Sequence, residues 1–324
     1  MRAAPAPAWQ VEERHLVEAW AVVRAHARRT PLADLAPHVP GAHAKLETEQ
    51  DTGSFKLRGA LAALAALDAR ERARGVITAS AGNHGLGLAR AGALFGVPVT
   101  VLVLRSAPRV KREAIARHGA RVELVDAAGY DELELAARAA AEGRGLTFVS
   151  PFDDPRVAAG NGGTIALELL EQLPDVRTVI APVGGGGLAA GLLAGFALRG
   201  ASVRVVGVQS EACPAMVESF ARGRALTRYL GAPGLAEGLE GGVSESTFAI
   251  ARAGLARMEA VPEARIADAM RFAAHELATP IEGSAAVALA WALAHADDPE
   301  LERPIAVLFT GRNVDPEVLR AIGA

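Results

Sequence analysis

The chain has 324 residues, 51% of them hydrophobic and 22% charged, a length and balance that suit two compact lobes or one large α/β domain with a sizeable core. Its 34 lysines and arginines against 37 aspartates and glutamates leave a net charge of -3, which argues against a general nucleic-acid binder or a polybasic membrane-surface protein. No apolar run reaches the ~18 residues of a membrane span. The N-terminus reads as no signal peptide, and a single cysteine, Cys213, excludes a disulfide framework or a Cys-based cluster, so a cytoplasmic enzyme is the leading class.

Apolar residues at Leu16, Ala19, Trp20, Val23 and Ala27 predict a helix that stops before Thr30-Pro31. Short β-branched runs then alternate with alanine- and leucine-rich helical stretches. Strands are predicted at 75–78, 97–104, 122–125 and 146–149, with helices at 82–95, 111–118 and 130–142. A second series places helices at 165–173 and 188–198 and strands at 178–183 and 203–209. Helices at 248–258, 266–277 and 284–296 precede a last strand at 305–309. Such alternation implies parallel sheets covered on both faces.

Three segments carry chemistry. Pro182-Val183-Gly184-Gly185-Gly186-Gly187-Leu188 lies between a strand and a helix. Consecutive glycines let backbone N–H groups approach an anion, and the helix N-terminus adds its dipole, so phosphate is the natural ligand. On this loop alone a nicotinamide dehydrogenase stays open, because Gly185-x-Gly187-x-x-Ala190 fits the relaxed dinucleotide fingerprint and Glu211 follows the next strand.

The second segment is Lys45-Leu46-Glu47-x-x-Gln50-x-Thr52-Gly53-Ser54-Phe55-Lys56-x-Arg58-Gly59-Ala60. Lys56 falls at the start of a predicted helix, where the dipole lowers an amine's pKa and favours the neutral nucleophile that forms Schiff bases. A lone lysine would more ordinarily be a solvated one. In Thr78-Ala79-Ser80-Ala81-Gly82-Asn83-His84-Gly85, Ser80 can cap the following helix. Asn83 and His84 then sit at the carboxyl edge of a parallel sheet, where ligands bind.

Together these segments resemble the fold-type II pyridoxal-phosphate enzymes, in the threonine/serine dehydratase and serine racemase-like branch. The resemblance runs from Thr30-Pro31-Leu32 to Gly311-Arg312-Asn313-Val314-Asp315, through Ser150-Pro151-Phe152-Asp153-Asp154-Pro155, Ala236-Glu237-Gly238 and Glu282-Gly283-Ser284. It implies two parallel-sheet α/β domains of the tryptophan synthase β-like kind with pyridoxal phosphate between them, and it decides the glycine loop against a nicotinamide cofactor. The large cofactor-binding domain would comprise 1–50 and 150–324, and the small domain 51–149.

By that resemblance Lys56 looks like the Schiff-base lysine and Phe55 its neighbour beside the cofactor. Asn83 would bond the ring hydroxyl, while Gly184, Gly185, Gly186, Gly187 and Leu188 would cradle the phosphate. Thr310 would meet the pyridine nitrogen, and Glu282 would stand near the ring. Ser54, Ser80, Ala81, His84 and Gly238 would line the substrate site. A neutral hydroxyl such as that of Thr310 cannot hold the pyridine nitrogen protonated as an aspartate would, which favours β-elimination over transamination.

The resemblance also implies departures. Ala81 replaces the serine that serves racemases as second acid/base, so racemisation should be weak. Gln209 and Ala215 stand where that branch binds a divalent cation, so no tight metal site is expected, and Glu211 leaves a monovalent ion open. Three departures bear on substrate: Glu237 for the usual aspartate, Arg312 for a glycine, and an extra glycine in Asn161-Gly162-Gly163-Thr164. Arg312 would either attract a second substrate carboxylate or pair with Asp315.

The implied reaction is dehydration and deamination of a hydroxy-amino acid such as L-threonine or L-serine, with Lys56 as general base. Hydroxyaspartate or phenylserine dehydratases, a racemase-like enzyme, and a β-replacement or threonine synthase relative are the neighbouring readings. The substrate is then a small amino acid, with no nucleic-acid or membrane partner. A homodimer is expected, and the end of the chain soon after the last motif suggests no isoleucine-sensing domain.

Overall fold

The computed structural model describes residues 7–80 and 82–324. The chain opens with α1 (Glu13–His26), whose Leu16, Ala19 and Val23 bury one stripe. Then come β1 (Leu32–Asp34) and β2 (Ala42–Leu46), followed by α2 (Lys56–Ala65), α3 (Ala69–Arg74) and β3 (Val76–Ala79). The chain continues through α4 (Asn83–Phe95), β4 (Val99–Leu104), α5 (Arg109–Ala116), β5 (Arg121–Val125), α6 (Tyr130–Arg144) and β6 (Thr147–Phe148). After α7 (Pro155–Ala158) it runs on through α8 (Thr164–Gln172), β7 (Thr178–Pro182), α9 (Gly187–Ala197), β8 (Arg204–Ser210) and α10 (Ala215–Arg222). The last part holds α11 (Glu245–Gly254), β9 (Arg257–Val261), α12 (Glu263–His275), α13 (Gly283–Ala294), β10 (Ile305–Phe309) and α14 (Pro316–Ile322).

The strands form two sheets, ordered β1-β2-β10-β7-β8-β9 and β5-β4-β3-β6. Apart from the antiparallel β1–β2 pair, every pairing is parallel. Period-2 alternation divides each strand between two layers. In β10, Ile305, Val307 and Phe309 join the core under α12 and α13, while Ala306 and Leu308 join the core with α8 and α9. In β4, Val99, Val101 and Val103 face the α2 and α4 side, and Leu102 packs with Leu133 and Ala137 of α6.

Both sheets contain a point where the strand order reverses. The chain leaves β7 toward β8 while β10 flanks its other side, and it leaves β3 toward β4 while β6 flanks the other. Crevices of this kind, beyond the carboxyl ends of the strands, are the ligand positions of open α/β sheets. The glycine loop follows β7, Thr310 follows β10 and Ser80 follows β3.

Two predictions are corrected here. The helix predicted over 248–258 ends at Gly254, and Met258 belongs to β9, an edge strand hydrogen-bonded to β8. Ser80 is not the cap of α4: Gly82 takes that position, and the Ser80 hydroxyl accepts from the Gly82 N–H at 3.2 Å. The extra glycine, read as bearing on substrate, has a packing role. Residues 159–163 form a π-helical turn, and a Cβ on Gly162 would collide with the Leu188 carbonyl and the Leu192 N–H of α9.

Candidate active site

Lys56 is the first residue of α2, and a short antiparallel contact holds it there. The Phe55 N–H donates to the Thr310 carbonyl at 3.0 Å, Ser54 bridges to Gly311, and the Arg312 N–H donates to the Gly53 carbonyl at 2.9 Å. The segment preceding the lysine is thereby pinned to the end of β10. The Lys56 ammonium donates to the Pro151 carbonyl at 2.8 Å and lies 5.1 Å from the centre of the Phe55 ring. Burial lowers its pKa to about 8, partly offset by the nearby Glu282 carboxylate. The N-terminal position is as predicted, but desolvation is the cause of the shift.

Glu282 caps α13, and its N–H donates to the Gly311 carbonyl at 3.1 Å. Its carboxylate accepts from Asn83 Nδ2 at 2.8 and 3.0 Å. Burial raises this carboxyl to about 7, with the Asn83 hydrogen bond pulling the other way. Asn83 in turn accepts from Asn313 Nδ2 at 2.7 Å, and that amide also donates to the Thr52 carbonyl. Asn313 belongs to a quoted landmark but had no predicted role; its polar side chain follows no pattern that would single it out.

The glycine loop is threaded through a space that no side chain could share. A Cβ on Gly185 would stand 2.5 Å from the Phe152 ring, one on Gly187 would stand 2.5 Å from the Phe152 carbonyl, and one on Gly184 would stand 3.1 Å from Leu239. Gly186 caps α9 with φ of 97°, a left-handed conformation that favours glycine. Among the described residues, the N–H groups of Gly184, Gly185, Gly186, Gly187 and Leu188 have no protein acceptor. Five unsatisfied donors around a helix N-terminus form an anion cradle. Pro151 and Phe152 join the two halves of the site, one accepting from Lys56 and the other packing on the loop.

The chain matches the family described as pyridoxal-phosphate dependent enzyme over residues 23–311. It belongs to that family. The L-threonine ammonia-lyase of Thermotoga maritima is 41% identical over 279 residues, covering 86% of this chain and 68% of that protein. Among solved structures, the processed form of threonine deaminase isoform 2 from Solanum lycopersicum superposes with a TM-score of 0.88 at 31% identity, covering 99% and 96% of the two chains. Maize serine racemase gives 0.87 at 28% identity, covering 97% of each. The architecture is fold type II, the cofactor is pyridoxal phosphate, and the glycine loop is no nicotinamide site.

The residues present fit that cofactor. The cradle suits its phosphate, Lys56 is a buried amine with a lowered pKa, and Ser54 Oγ and His84 Nδ1 are buried polar atoms without a partner among the described residues. Thr310 is buried directly after β10. Gly238 donates to Ser284 Oγ at 2.9 Å, and the turn it belongs to packs on Gly184. Leu188 packs its side chain into the same core as Phe55, so only its backbone is available to the loop. Ala81 lies outside the described residues.

Other positions settle differently. Arg312 is exposed and makes no ion pair among the described residues, while Asp315 caps α14 by accepting from the Glu317 N–H, so the Arg312–Asp315 pairing is not formed. Gln209 Oε1 accepts from the N–H groups of Met216 and Val217 and so caps the start of α10. Two features carried no predicted role. Arg58, fully buried, forks between Glu47 and Glu168, and Lys45 joins Glu168 and Gln172. Lys111 of α5 pairs with Glu237 of the segment between α10 and α11.

Proposed function

We propose that the protein is a pyridoxal-phosphate-dependent ammonia-lyase that dehydrates and deaminates L-threonine or L-serine to a 2-keto acid and ammonia. The observation that carries this reading is a buried lysine, Lys56, facing the Pro151 carbonyl beside a five-donor phosphate cradle, in a chain whose relative at 41% identity is named for threonine ammonia-lysis. The bound cofactor supplies an electron sink that makes the substrate's Cα proton acidic.

The protein's own part is positioning and proton transfer. Lys56, desolvated and near neutrality in its pKa, removes the Cα proton as general base. The Pro151 carbonyl orients its amine. Residues 184–188 would hold the phosphate through N–H donation, and Phe55 would pack beside the ring. Asn83 and Glu282 would stand at the ring's polar edge, Asn83 toward the ring hydroxyl, and the Thr310 hydroxyl would meet the pyridine nitrogen without protonating it. Ser54, Ser80 and the turn at Gly238 line the substrate end, with His84 beside them. Lys56 returns the proton to the β-hydroxyl, which departs as water, and hydrolysis of the released enamine gives the 2-keto acid and ammonia. By family likeness we further propose two lobes, 51–149 and the remainder, a homodimer and a cytoplasmic location.

Borohydride reduction of the cofactor-loaded protein, followed by digestion and mass spectrometry, tests the assignment. The label should fall on the Lys56 peptide, and Lys56→Ala should lose both label and turnover. A label on another lysine, or full turnover by the variant, would remove Lys56 from the site.

A further inference from the structure

The phosphate cradle is shaped by two residues that press on it from outside. Phe152 fills the space where a Cβ on Gly185 or Gly187 would fall, and Thr247 of α11 stands 2.7 Å from the place of a Cβ on Gly186. Thr247 is fully buried and held within its own helix, its N–H donating to Ser244 Oγ at 3.1 Å. Phe152 has no such anchor on its own element. It borders an open cavity of about 350 Å³, shared with Ala8, Leu135 and Ser244, so packing leaves the ring room to withdraw from the glycines.

What fixes Phe152 is the N-terminal segment. The Trp9 indole N–H donates to Asp153 Oδ1 at 2.7 Å. Ser150 passes that hold along: its buried hydroxyl accepts from the Asp153 N–H at 3.0 Å and from the Phe152 N–H at 3.4 Å, closing the turn. Ala8 donates its N–H to Ser246 Oγ at 3.0 Å, and Ser246 is the neighbour of Thr247. Two consecutive residues are thus tied to the neighbours of both supports. Trp9 itself is seated against the small core of Val11, Ala158 and Ala159. An indole N–H only donates and a carboxylate only accepts, so the Trp9–Asp153 bond has a single polarity.

We propose that Trp9 is a positioning residue for the cofactor phosphate: residues 8–9 form a strap that holds Phe152 and Thr247 against the glycine loop. The inference rests on the reading of residues 184–188 as the phosphate cradle. Trp9 acts through Asp153 and Phe152 and takes no part in proton transfer.

Pyridoxal, which carries the same ring and aldehyde without a phosphate, separates this role from a general one. Dissociation constants of pyridoxal phosphate and of pyridoxal are measured on the cofactor-free full chain from the visible absorbance of the bound ring. The wild-type chain should prefer the phosphorylated form. Trp9→Phe keeps an aromatic ring in its seat but loses the donor. It should weaken pyridoxal phosphate about three- to tenfold, the net worth of one hydrogen bond, and leave pyridoxal unchanged. Asp153→Ala should match it, and the double variant should add nothing further. Asp153→Asn, whose Oδ1 still accepts, should stay near wild type. Ser246→Ala, which removes the acceptor for Ala8, should move the ratio of the two constants in the same direction.

Equal losses for the two ligands, or no loss for either, would overturn the strap and leave the cradle in place. A wild-type chain that binds both alike would instead remove the phosphate reading of the loop, and the proposal with it. Should Trp9→Phe fold poorly by its urea midpoint, Asp153→Ala against Asp153→Asn decides by the same ratio.

Discussion

Glu282 links the site's geometry to a measurable pH dependence. Its folded pKa of about 7 stands above the ordinary 4.5, so between those values the folded chain holds a proton that the unfolded chain has released. Stability conferred by that proton is whole below about 4.5 and falls as pH rises through 7, by about 3 kcal/mol in all. In the cofactor-free protein Glu282→Gln should lack this fall, and urea midpoints at pH 5, 6 and 7 would measure it. Lys56 cannot mimic the effect, because its shift from 10.5 to about 8 acts above pH 8. The titration of His84 is common to both chains and cancels in the difference. Parallel wild-type and variant profiles would contradict the buried, hydrogen-bonded carboxyl described above.

Legibility at this scale followed side-chain chemistry. Lys56, Asn83 and the glycines announce themselves as residue types with few other reasons to stand in such order. Pro151 carries no such signal, because it acts through a backbone carbonyl that any residue would supply. Arg58 was equally opaque: nothing in its local pattern marks it, yet it is buried between Glu47 and Glu168. Removing one partner from such a cluster strands a charge in the core, whereas the complete set is internally neutral.

At the scale of elements, most helices and inner strands follow from periodicity, and the errors have physical causes. β2 reads Ala-His-Ala-Lys-Leu, without a β-branched residue, and becomes a strand because β10 pairs along its whole length. β9 is a half-buried edge strand whose Arg-Met-Glu continues the helical pattern of α11. The contact of α9 with the π-helical turn was unreadable, since close backbone approach depends on tertiary position. Gly162→Ala should therefore destabilise by about 3 kcal/mol or more, because its Cβ would meet backbone that cannot yield. Gly143→Ala in α6, with open space around it, should stabilise by roughly 0.5–1 kcal/mol. Thermal or urea denaturation distinguishes the two, and equal effects would refute the packing account.

At the scale of the whole molecule, the site exists because two parallel sheets turn their carboxyl ends toward one crevice. The fold class was legible from strand–helix alternation, while the clasp between the layers was not. Lys111 with Glu237, and Asp131 accepting from the N–H groups of Tyr229 and Gly242, tie the segment around 227–242 to α5 and α6. None of these contacts leaves a trace in local sequence, because each joins groups more than 90 positions apart.

The reaction is tested most directly by incubating the protein and pyridoxal phosphate with L-threonine and no second nucleophile, while 2-oxobutanoate and ammonia are quantified. Both products should appear in equal amounts, with L-serine yielding pyruvate in the same way. Absence of keto acid from either amino acid, or product formed only after a thiol is added, would contradict it.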